Sequence, residues 1–245
     1  MKPQSTPNFY LLTIVVVMLM MASCTFSERK VTGGDGNVTI NTVMLDYFDE
    51  IDLQGAFNVK LTQGVAQQAI IETDENLQEL VDVQVKGGTL FINTTRDAIL
   101  RPTKMELRIT YPQLRRVTVG GACKISAEEE IASHDLVFDL SGAAEIDLSI
   151  MAGVLRTQLS GAGSIRFEGE ARQHYIELSG ASSLQADKLI TEVTEIELSG
   201  TGSAHVFASQ LLKANLSGVG SIRYYGNPEQ TQINKSGLGS IKSAD

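Results

Sequence analysis

Glu177 and Glu197 occupy the same place in a repeated phrase, two residues ahead of a Ser-Gly pair. Asp139, Gln158, Asn215 and Asn234 hold the equivalent place in four further copies, "DLSG", "QLSG", "NLSG" and "NKSG". Carboxylates brought side by side repel unless a cation or a shared proton lies between them. Such a pair could hold Ca²⁺, or serve as the two carboxyl groups of a glycosidase. The alternative is a solvated face whose glutamates splay apart, the usual situation of surface carboxylates. Asp139, Glu177 and Glu197 are therefore the candidate cation or ligand residues.

Other chemistry is sparse. His134, His174 and His205 form neither a His-x-x-x-His nor a His-Glu-x-x-His ligand pair. No Gly-x-Ser-x-Gly elbow is present. The chain has no tryptophan, which leaves Tyr175, Tyr224, Tyr225 and Phe207 for any stacking on a sugar. The serines of the Ser-Gly pairs are not nucleophiles, because six equivalent positions cannot all be. Cys123 reads as a buried, inert thiol. These residues assign no catalytic side chain, no metal site and no cofactor.

The elements that must position the glutamates follow from the spacing. Ser-Gly pairs begin at 141, 160, 179, 199, 217 and 236, with "VGGACKI" at 119–125 and "LQGAFNV" at 53–59 on the same pattern. A fixed period near 20 residues points to a solenoid, since propeller blades are about twice as long. Within a unit, Ile176, Leu178, Gly180, Ser182 and Leu184 share one parity and Glu177, Ser179, Ala181, Ser183 and Gln185 the other. That is the period of a strand, not of a helix. Stacked coils then place inward columns: Leu140, Leu159, Leu178, Leu198 and Leu216, and Ile146, Ile165, Leu184, Ala204, Ile222 and Ile241. Between them run the structural glycines Gly142, Gly161, Gly180, Gly200, Gly218 and Gly237, with Gly121 one unit upstream. A phosphate-cradling glycine loop leads into a helix, whereas each glycine here leads into another strand. The glycines are expected to turn or pinch the coil. A second outward column, Ala122, Ala143, Ala162, Ala181, Thr201, Val219 and Leu238, either meets a partner or a second copy, or is buried if the bend flips its parity.

At the other end of the argument, the first 23 of the 245 residues read as a lipoprotein signal peptide. The apolar run 10–22 is too short to span a bilayer, which needs ~20 residues. It ends at Met21-Ala22-Ser23-Cys24, which resembles a lipobox with Cys24 as the lipid attachment site. An ordinary cleaved signal is the competing reading. Residues 24–38 read as a flexible tether. With Cys24 acylated, Cys123 has no disulfide partner. Loss of the leader removes one lysine and no acid, moving the formal charge from −9 to −10. An acidic surface argues against nucleic acid as a partner. The domain is expected over residues 39–245: N-terminal strands and cap over 39–116, regular coils over 117–245. The cap should contain a coil at 48–63, a helical turn near 76–80, a hairpin across Gly87-Gly88 and a strand ending at Pro112. Lys235 stands where the column has leucine, which suits protection of an open edge.

These residues resemble a known family. "DENLQELVDVQVKGGTLFI", "LRITYPQLRRVTVGG", the serial "LSGxGSI" units and the closing "SIRYYGNPEQTQINKSGLGSI" are similar to the bacterial autotransporter adhesin head GIN domain family over residues 45–245. With its signal and lipobox, the chain is similar to the lipoprotein members found in gut Bacteroidetes. The resemblance implies an all-β fold, a single-stranded right-handed β-helix or solenoid with coils of ~19 residues and an N-terminal antiparallel meander. It brings no catalytic motif to carry over. The expectation is a lipid-anchored cell-envelope protein, at the outer membrane, with a non-enzymatic binding, adhesion or structural role. The alternative is a β-helix protein that binds or degrades polysaccharide. Expected partners are the membrane through the lipid, a protein or glycan, and a second copy through the solenoid edge or the apolar outer column.

Overall fold

The computed structural model describes residues 30–95 and 98–244, which form a β-solenoid of about 7 turns. The signal segment and Cys24 lie outside the described residues. Each regular coil holds two strand stretches of opposite inward parity. In the strand Ala143–Leu159, Ile146, Leu148 and Ile150 are buried, then Leu155, Thr157 and Leu159. The step from Ile150 to Leu155 is odd, so the chain exchanges its inward parity at that bend. At Ser160-Gly161 the parity carries through into Ile165 and Phe167.

Coil stacks on coil in parallel register. The leucine column pairs Leu140, Leu159, Leu178, Leu198 and Leu216 in succession, and every member is buried. The second column runs from Ile146 to Ile241 in the expected order, buried as far as Ile222. The unit that begins at Ser179 is a residue longer than the one before it, and the register slips between Arg166 and Glu168, where a bulge absorbs the extra residue.

The glycine column is a steric requirement. A side chain on Gly180 would land on the carbonyl oxygen of Gly161, and the same collision recurs at each column glycine from Gly121 to Gly237. That oxygen is already in use, accepting the N–H of Ala181 at 3.0 Å. No left-handed backbone is involved at the six Ser-Gly positions. The backbones simply approach too closely for a Cβ.

The cap follows its sequence signals. The first coil, Glu50–Gln54 and Ala56–Gln63, pairs in parallel with Arg116–Val119 and Ala122–Ala127. On its other side the coil pairs in parallel with Thr89–Thr94 and Met105–Tyr111, and beyond these the pairing turns antiparallel: Val38–Met44 with Gln68–Asp74, and Gln68–Asp74 with Met105–Tyr111. Val81–Lys86 and Thr89–Thr94 form a hairpin. Gly87 and Gly88 at its turn have φ of 61° and 83°, as the tightest right-twisted hairpins require. A short 3₁₀ helix, Glu75–Leu80, buries Leu77.

Of the tether expected over residues 24–38, residues 24–29 lie outside the described residues, and residues 30–38 are ordered in the structure. Lys30–Gly33 forms a strand parallel to Ala98–Arg101. The turn after it is held by the buried carboxylate of Asp74, which accepts from the backbone N–H of Gly36 at 2.8 Å and of Thr103 at 2.7 Å. Burial pushes the Asp74 pKa up, but these hydrogen bonds outweigh it and hold the carboxyl below its ordinary value. Composition marked this stretch as loose, whereas a carboxylate 38 residues away fixes it.

At the far end, Gln230–Lys235 and Leu238–Ser243 each pair with the preceding coil only, among the described residues. Lys235 takes the leucine position, and its Nζ donates to Gly239 O at 2.9 Å, across the open end. An inward charge at a sheet edge opposes pairing with another chain.

Gly180→Val should lower stability by about 1–3 kcal/mol or more, the cost of forcing volume into a closed site. Ser183→Val, on the outward face of the same coil, should stay within about 0.5 kcal/mol of the parent. Urea midpoints of both variants check this, and equal midpoints would refute the assignment of faces.

Candidate functional site

The register brings the candidate carboxylates onto one line. Asp139, Gln158, Glu177, Glu197, Asn215 and Asn234 are consecutive partners on adjacent strands. The first four of these, Asp139, Gln158, Glu177 and Glu197, line a shallow open groove of about 290 Å³ together with Ser160, Ser179 and Ser199. Its position follows from the glycine column: with no side chain inside, the backbone draws inward and the outer surface is indented.

Within the line, Gln158 Nε2 donates to Glu177 Oε2 at 3.4 Å, and Asn234 Nδ2 donates to Asn215 Oδ1 at 3.0 Å. Gln158 separates Asp139 from Glu177. Glu177 and Glu197 are direct neighbours, and both are exposed. The three candidates therefore divide into a pair and an outlier. The groove can offer a row of acceptors and amides to a cation or to the hydroxyls and N–H groups of a partner.

A serine hydroxyl at this corner can bond along the stack to a backbone carbonyl of the preceding coil. Ser141 Oγ does so, donating to Val119 O at 3.3 Å. Among the described residues the other five hydroxyls make no such bond and are exposed. Beyond the serines lies the small apolar column, and here the structure decides between the two readings: it faces outward. Val219 is 53% and Leu238 76% exposed.

One column went unremarked in the sequence. Val137, Arg156, Tyr175, Glu195, Lys213 and Gln232 are also register partners, two residues before the carboxylate line. The Arg156 guanidinium lies 5.2 Å from the Tyr175 ring centre, and Lys213 Nζ meets Glu195 at 2.7 Å. Extending the repeat alignment by two residues upstream would have found it. A wider cleft of about 810 Å³ lies by the opposite bend, where Arg115, His134, Asp135 and Met151 meet. Its cation is committed elsewhere: Arg115 donates to both Asp49 oxygens, at 2.6 and 3.1 Å.

The three histidines are scattered. His134 is exposed, and His205 lies 6.2 Å from the Tyr225 ring. His174 is buried, with Nε2 3.0 Å from Thr157 Oγ1. Burial pulls its pKa down to about 3. Cys123 is buried as expected, and burial pushes its thiol up to about 11, so it is not a thiolate near neutral pH.

A parallel solenoid with an antiparallel cap and a straight polar wall defines a protein that displays a surface. The chain belongs to the family described as "Putative auto-transporter adhesin, head GIN domain", whose model matches residues 47–228. It is 25% identical to a putative adhesin from Bacteroides fragilis NCTC 9343, with a TM-score of 0.84 over 86% of this chain and 99% of that one. A structure described as a putative lipid binding protein from Parabacteroides distasonis ATCC 8503 is 22% identical, with a TM-score of 0.72 over 88% of this chain and 100% of that one. A putative adhesin from Parabacteroides merdae ATCC 43184 is 18% identical, with a TM-score of 0.63 over 88% and 99%. The last two likenesses show the fold alone. No curated protein matches the chain.

The buried His174 sets a pH dependence. In the unfolded chain it binds a proton below about pH 6.5; in the folded chain its pKa is about 3. Stability is therefore unaffected by this group above pH 6.5 and falls as the pH drops from 6.5 towards 3, by about 1.4 kcal/mol per pH unit. His174→Gln keeps a partner for Thr157 and removes the titration. Between pH 6.5 and 4.5 the parent should lose about 2–3 kcal/mol more than this variant, read by urea unfolding at both pH values.

Proposed function

We propose that the chain is a cell-envelope protein, anchored through an acyl group on Cys24, whose Ser-Gly wall binds an extended protein or glycan without cleaving it. The observation that carries this reading is the line of register-locked short polar side chains along the Ser-Gly corner, from Asp139 to Asn234. Such a row meets an extended partner at many equivalent points. The family description and the putative adhesins among its structural relatives support a binding role. The exposure of Glu177 and Glu197 on an open groove supports binding over hydrolysis, since neither sits in an apolar pocket of the kind that fits a carboxyl group to act as a general acid.

The purified protein should be applied to glycan and envelope-protein arrays and assayed for new reducing ends. Binding without cleavage, weakened by Ser179→Arg in the groove floor, is the expected result. Cleavage abolished by Glu177→Gln or Glu197→Gln would replace this reading with a glycosidase. The anchor has its own test: Cys24→Ala should move the protein out of the membrane fraction, and unchanged detergent partitioning with normal processing would refute acylation.

A further inference from the structure

Exposed large apolar side chains lie at both ends of the solenoid, Val219, Ile233 and Leu238 in the last coils and a larger set in the first layer. Val31, Val38, Ile40, Met44, Tyr47 and Ile99 all belong to the N-terminal layer. Ile40 is 62%, Met44 69% and Tyr47 56% exposed. Val38, Ile40 and Met44 share one parity, hence one face, of the strand Val38–Met44. Among the described residues that strand pairs only with Gln68–Asp74, so it ends its sheet. Val31 and Ile99 are register partners in the short ribbon that leads into it.

Length and charge indicate what meets this strip. The ribbon begins at Lys30, six residue steps beyond Cys24, a span of at most ~20 Å. An acyl chain on Cys24 therefore holds this end near a bilayer. The last coil, about 7 turns away at ~4.8 Å per turn, lies ~30 Å further along the stack. The chain is acidic overall, and Asp46 is exposed between Met44 and Tyr47, but the two carboxylates on the sheet face beside Ile40 are paired. Glu72, the register partner of Ile40, meets Lys104 at 2.6 Å and Arg108 at 2.8 Å. Glu106 meets Arg108 at 2.9 Å and Lys60 at 3.5 Å. Three cations face two carboxylates there, so the sheet face beside Ile40 carries no excess of negative charge towards anionic headgroups.

We infer that the strip from Val31 to Tyr47 is a membrane-seating face, pressed into the lipid headgroup region beside the anchor, with the later coils standing away from the bilayer. The inference rests on the anchor proposed at Cys24.

The chain has no tryptophan, so one introduced tryptophan is an unambiguous reporter. Full-length acylated Ile40→Trp, Met44→Trp and Leu238→Trp proteins would be reconstituted in phosphatidylcholine–phosphatidylglycerol vesicles carrying lipids brominated on the acyl chain. Ile40→Trp and Met44→Trp should shift to the blue and lose about half their emission, because an interfacial side chain sits ~5–10 Å into the headgroup–acyl boundary. Leu238→Trp, at the far end, should do neither. Unquenched emission at 40 and 44 in protein shown by mass spectrometry to be acylated overturns the seating and leaves the anchor intact. A blue shift without quenching overturns it in favour of a protein partner, such as a second copy. Absence of acylation overturns both.

Discussion

The carbonyl oxygen of each column glycine occupies the space where the next coil would carry a side chain. That oxygen accepts a backbone N–H from the next coil, at Ala162, Ala181, Thr201, Val219 and Leu238 in turn. The contact sets the vertical alignment of the coils, and the rest of the architecture inherits it. The leucine and isoleucine columns meet because the glycines are level. The carboxylates, serines and alanines form straight lines outside for the same reason. A wall that could be read as chemistry is in the first instance a by-product of a close backbone approach.

Much of this was legible in the sequence because parallel stacking turns a period along the chain into proximity in space. Alternation around Leu178 separated the faces, and the spacing of Ser-Gly pairs paired Glu177 with Glu197. The Gly87-Gly88 hairpin was legible because its turn chemistry is local. Even the coil of 20 residues kept its register, since a bulge at Arg166 to Glu168 leaves the pairing on either side intact.

What sequence reading missed depends on contacts with no period. Asp74 reaches the turn around Gly36 from another strand, so residues 30–37 looked like a linker although they are held in place. The parity of the alanine column turned on a bend whose geometry the letters do not contain. Nothing local in the sequence marked His174 as buried. It stands where the chain changes parity, and its burial depends on the packing of Phe167 and Thr157 around it. The Arg156–Tyr175 stack lay in plain register, yet its residues differ from coil to coil and so do not present themselves as a motif.

The crossing of Lys235 to Gly239 bears on how such proteins come to differ in size. Each coil offers its successor the same ladder, the same glycine step and the same leucine seat, so nothing in the stack itself counts the turns. In the last described coil one leucine is replaced by an amine, Lys235, whose Nζ donates to Gly239 O. Duplication of a unit upstream of that residue would lengthen the rod by a single ladder spacing and leave both ends as they were. The length of the rod is thus a property that can vary in whole steps, independently of the antiparallel cap at one end and of Lys235 at the other.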